Sequence, residues 1–84
     1  MKIIFHPQAW EDYCWWQQND RRQLKRINEL IRDIQRSPCE GVGKPEPLRF
    51  ELSGCWSRRI DHEHRMVYRA EGDELHLLSC RFHY

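Results

Sequence analysis

Lysine is scarce in this chain, net charge is nearly absent, and no apolar run is long. Each shortage removes a class of function. With 14 Lys and Arg against 13 Asp and Glu, the formal net charge is +1, too little to hold free nucleic acid by bulk electrostatics. No stretch approaches the ~18 consecutive apolar residues of a membrane span. The run Ile3-Ile4-Phe5 is broken by His6 and Pro7, which is too short for the core of a secretion signal. Cys14, Cys39, Cys55 and Cys80 include no C-x-x-C pair. These features predict reduced thiols in a cytoplasmic protein, with Cys39, beside Pro38, the most exposed of the four. Residues 1–84 make one domain, of a size that buries only roughly 60% of its unfolded surface. No deep cofactor pocket fits in it, so any chemistry belongs on an open face and acts on something larger than the protein.

What the chain does have is arginine, 11 against 3 lysines. The guanidinium is a planar fork that matches phosphate and carboxylate, where lysine offers a hydrated point charge. The remaining pattern gives the elements. Residues 2–6 read as a strand, and Pro7 suits the first position of a helix over 7–18, with Trp10, Tyr13, Cys14 and Trp15 or Trp16 at helical spacing. Asp20 and Gln23 form a capping-box pattern, and Leu24, Ile27, Leu30, Ile31 and Ile34 stripe a second helix that ends at Ser37-Pro38. Two Gly and two Pro within 41–47 exclude helix and central strand there. Strands are expected over 48–52, 56–61, 65–70 and 74–82, with turns at Ser53-Gly54, His62-Glu63 and Gly72-Asp73. The fold class is α+β, with two N-terminal helices packed on one face of an antiparallel sheet.

Three features carry chemistry. Glu46 lies between Pro45 and Pro47, so the backbone is stiffened on both sides of one carboxylate, as a general base needs; a solvated acid in a rigid turn is the plain alternative. Arg58, Arg59, Arg65, Arg69 and Arg81 fall on neighbouring strand segments, where several guanidiniums can converge on an anion or simply pair with Glu51, Asp61 and Glu63. His62-Glu63-His64 has no third ligand nearby and no zinc spacing, so no metal is expected. His83 and Tyr84 follow an apolar strand; a histidine moves protons near neutrality and an aromatic stacks on a base. Glu46, Arg65 (with Arg59 or Arg49) and His83 form a plausible set for cleaving RNA through its ribose 2′-OH.

The segments Ile27–Ile31, Gly43–Leu48, Leu52–Gly54, Trp56–Ile60, Glu63–Arg65, Val67-Tyr68, Cys80-Arg81 and His83-Tyr84 together resemble the YoeB family of toxins, within the RelE/ParE superfamily. The resemblance implies a RelE-like, microbial-RNase-like fold and an endoribonuclease that cuts messenger RNA in the ribosomal A site. By matching position it implies Glu46 as general base, Arg65 as phosphate stabiliser, His83 as general acid and Tyr84 as the residue that positions the substrate base. Arg59 and Arg49 would lie near the phosphate, Arg49 standing where relatives carry Lys. The implied partners are a YefM-like antitoxin, the 70S ribosome, mRNA, a second copy in a homodimer, and promoter DNA only through the antitoxin. A non-catalytic toxin that binds gyrase, as in the ParE branch, and a ribosome-independent RNase are the rival readings.

Overall fold

Pro7 opens the first helix because its fixed φ and missing N–H suit a position that needs no donor. In the computed structural model, which describes residues 1–82, strand β1 (Lys2–Phe5) leads into α1 (Pro7–Asn19) and then α2 (Arg21–Arg36). The Asp20 carboxylate accepts from the Gln23 N–H at 3.2 Å, one half of the expected capping box. The other half is absent because the Gln23 amide reaches Asp61 instead. Helix α2 buries Ile27, Leu30, Ile31 and Ile34, as its stripe predicts, with Leu24 half-buried against them. Helix α1 departs from expectation. It buries Ala9, Asp12 and Trp16, while Trp10 is 53% exposed. Successive side chains turn by about 100° around a helix, so Trp10 is carried to the flank, where its ring stacks with Tyr13.

Strands β2 (Glu46–Pro47), β3 (Trp56–Arg59), β4 (Arg65–Glu71) and β5 (Glu74–Ser79) follow as an antiparallel meander. The sheet order is β1-β5-β4-β3-β2, and β1 pairs with β5 in parallel, Ile3 opposite Leu75 and Phe5 opposite Leu77. The sheet is therefore mixed rather than wholly antiparallel, within the expected α+β class. The parallel pair exists because both helices and the meander separate β1 from β5, giving the long crossover such pairing needs. No helix among the described residues is long and apolar enough to cross a membrane.

Two further elements differ from the sequence reading. Residues 48–52 are not a strand: after the two-residue β2 the chain coils into a short 3-10 turn over Phe50–Leu52. Leu48 and Leu52 both pack toward Cys55, Val67 and Leu78, a small cluster separate from the main core. An extended chain cannot bring residues four apart to one spot, so the segment closes on itself, with Leu48 N–H donating to Cys55 O at 2.9 Å. The last strand stops at Ser79, and side chains of α1 hold the chain beyond it. The buried Asp12 carboxylate accepts from Cys80 N–H at 2.9 Å, and Trp16 Nε1 donates to Cys80 O at 2.8 Å. Burial, with the charge of Asp12 adding to it, pushes the Cys80 thiol up to about 12, so it is a packing group and not a nucleophile.

Arg58 is fully buried beneath the loop that joins α2 to β2. All five of its N–H donors are used: on the Asp33 carboxylate, the carbonyls of Ser37, Glu40 and Val42, and the Tyr68 hydroxyl. The loop fits this tightly because Gly41 and Gly43 have φ of +125° and +84°, and a Cβ on Gly41 would meet the Asp33 carboxylate. The hydrogen bond from Arg58, helped by the Val42 N–H, holds the Asp33 carboxyl below its ordinary value of 3.8. A depressed folded value means the contribution is complete above pH 3.8 and is lost as pH falls below it through the folded pKa. Chemical denaturation between pH 5 and pH 2 is therefore expected to show a smaller acid loss in Asp33→Asn, which starts less stable, than in the parent.

Candidate active site

Strand register sets the site. Glu46 lies opposite Ser57 on β3, and Arg59 lies opposite Arg65 on β4. Side chains alternate along a strand, so Ser57 and Arg59 share a face, and their cross-strand partners Glu46 and Arg65 share it too. The helices cover the other face, where Arg58, Met66 and Tyr68 are buried. Glu46 and Arg59 thus stand diagonally, at a Cα separation of roughly 7–8 Å. Two guanidinium-bearing residues directly opposite each other repel, an arrangement suited to an anion between them.

Each residue is fixed by its own local structure. Pro45 and Pro47 stiffen Glu46, and β2 is an edge strand, where proline costs no ladder bond. The Arg59 N–H donates to Gly43 O at 2.6 Å, which ties the loop before Glu46 to β3. Half-buried Arg65 donates from Nη1 to Asp61 O at 3.2 Å. Partial burial raises the Asp61 carboxyl, but N–H donation from the His64 and Glu63 backbones outweighs it, for a net lowering. Arg49 lines a shallow groove of about 580 Å³ with Glu46, Pro47, Leu48, Phe50 and Leu52. Phe50, whose φ is +57°, is 91% exposed at its rim.

The structure brings together Glu46, Arg59 and Arg65 on one face, with Arg49 beside Glu46 in the groove. It removes three arginines from the expected cluster. Arg58 is in the core; Arg69 sets its Nε 2.7 Å from the Glu71 carboxylate; Arg81 lies over the Trp15 ring at 3.6 Å. His83 and Tyr84 lie outside the described residues. The chain that leads to them is placed: Phe82 O accepts from Arg65 N–H at 3.0 Å, and Phe82 N–H donates to His64 Nδ1 at 2.7 Å. Sequence reasoning missed the part played by Asp12, Trp16 and His64 in holding this segment. No periodicity signals it, because every partner is distant in the chain. An exposed carboxylate beside two arginines in cross-strand register can accept a proton and hold an anion.

A two-helix domain on a mixed five-stranded sheet is the architecture of a class of small α+β bacterial toxins. A family model described as the YoeB-like toxin of bacterial type II toxin–antitoxin systems matches residues 5–84, and the chain belongs to that family. It is 55% identical to toxin YoeB of Escherichia coli strain K12 over 84 residues, covering 100% of both. The solved YoeB/ParE toxin from Agrobacterium tumefaciens superposes with a TM-score of 0.97 at 49% identity over 100% of both chains. YoeB of Staphylococcus aureus, solved as a heterotetrameric complex with YefM, superposes with a TM-score of 0.92 at 49% identity, over 100% of this chain and 98% of that one. The same protein has also been solved as a dimer.

Proposed function

We propose that this toxin is a ribosome-dependent endoribonuclease that cuts messenger RNA in the A site and so stops translation. The observation that carries the reading is the common face of Glu46, Arg59 and Arg65, with Phe82 hydrogen-bonded to the backbone of Arg65. Glu46 takes the proton of a ribose 2′-OH, and the freed oxygen attacks the adjacent phosphorus. Arg65 and Arg59 stabilise the charge that develops on the phosphorane. His83 gives a proton to the departing 5′-oxygen, leaving a 2′,3′-cyclic phosphate and a free 5′-hydroxyl. Tyr84 positions the substrate base, and Arg49 faces the phosphate backbone beside Glu46. These roles close the proton balance without a metal.

The weak net charge of +1 supports dependence on the ribosome, which would hold the message that the toxin alone grips poorly. A cytoplasmic site of action follows from that target. A YefM-like antitoxin and a homodimer are proposed on the model of the S. aureus protein, with promoter DNA reached only through the antitoxin. Primer extension on ribosome-bound message, with wild type and His83→Gln side by side, tests the reading. The wild type is expected to leave A-site cuts that the variant loses. Equal translation arrest by both, without cut message, would remove the nuclease assignment and favour a binding toxin.

A further inference from the structure

We propose that His64 is a positioning residue for the reaction, a neutral hydrogen-bond acceptor that fixes the point from which the catalytic tail leaves the sheet. The inference rests on the nuclease reading above and deepens it. Only a lone pair can accept the 2.7 Å hydrogen bond from Phe82 N–H, so Nδ1 is unprotonated and the ring proton sits on Nε2. Nε2, 3.7 Å from the Glu63 carboxylate, is left free to carry that proton. The imidazole is buried and held edge-on by Trp16, with ring centres 4.9 Å apart.

The backbone of His64 is itself tied down on both sides. Its N–H donates to Asp61 Oδ1 at 2.7 Å, and its carbonyl accepts from Ile60 N–H at 3.0 Å. The neighbouring Arg65 N–H takes the Phe82 carbonyl at 3.0 Å. One side chain and one backbone group on adjacent residues thus hold both polar groups of the Phe82 residue. Where a strand would continue its ladder to a backbone carbonyl, a ring nitrogen substitutes. This permits Phe82 a φ of +62°, a left-handed turn that non-glycine residues seldom adopt. The turn sets the direction of the chain toward His83. The Arg81 guanidinium, over the rings of Trp15 and Phe82, packs the same junction. A proton-transfer group gains its effect from position, and a displacement of about 1 Å costs up to ~10²-fold.

The test compares wild type, His64→Asn and His64→Phe. Asparagine places an acceptor oxygen where Nδ1 stands; phenylalanine keeps a ring and accepts nothing. His64→Phe is expected to cut the single-turnover rate on ribosome-bound message by roughly 10- to 100-fold with little change in KM. His64→Asn is expected to recover most of that rate. In parallel, ¹⁵N spectra of the free wild-type toxin should show the Nε2–H tautomer, and the Phe82 amide should exchange with solvent faster in His64→Phe than in the other two. Equal rates for wild type and His64→Phe would overturn the proposal, as would an Nδ1–H tautomer or equal deficiency of both variants. If the wild type itself cuts no message, the nuclease reading fails, while the spectra and exchange still decide whether His64 holds Phe82.

Discussion

Glu46→Gln is expected to lower the single-turnover cleavage rate by about 10²- to 10⁴-fold, the usual worth of a positioned proton-transfer group. The substitution keeps size and shape but replaces the basic carboxylate by a neutral amide. Stability should change by less than about 1 kcal/mol, since Glu46 is exposed and its backbone is held by the flanking prolines. Single-turnover assays on ribosome-bound message, with a thermal melt of the same preparation, separate the two effects. A rate within threefold of wild type would assign proton abstraction to another group.

Arg58→Met is expected to destabilise the fold by roughly 3 kcal/mol or more, because it removes all five hydrogen bonds of a fully buried guanidinium and leaves Asp33 without its buried ion-pair partner. For a domain of this size that is a fall in Tm on the order of 15 °C. Arg58→Lys should recover little. Lysine keeps the charge, but its three donors cannot replace five in a planar fork. If Arg58→Lys melts with the parent, charge and not geometry holds the loop. The loss should also reach activity, since the loop bound by Arg58 leads directly to Glu46.

The legibility of the sequence follows from how local each cause was. Helix α2 was legible because five apolar residues at helical spacing leave no other face to bury, and Asp20 and Ser37-Pro38 mark its ends. Charge alone grouped Arg58 with Arg59 and Arg65, although alternation along β3 puts Arg58 on the opposite face from Arg59. Adjacent strand residues cannot share a face, and the partners that satisfy the buried Arg58 lie 10 to 25 residues away. Residues 48–52 alternate like a strand, but the need to set Leu48 and Leu52 on one cluster overrode that pattern. Glu46 stood out because its prolines are its neighbours. The hold on Phe82 did not, because it reaches back to His64 through a side chain.

The parallel pairing of β1 with β5 has a kinetic consequence. It joins segments about seventy residues apart, as the His6–His76 contact at 2.9 Å illustrates, and Asp12 waits 68 residues for Cys80. Contacts that distant make closure of the sheet slow, and they cannot form on a nascent chain that has not yet reached residue 80. The helices can form early, while Glu46 and Arg65 acquire their final setting only when β5 slides in beside β1. Folding should therefore appear as a late, all-or-none step in synthesis, and a growing chain should stay inert until that step is complete.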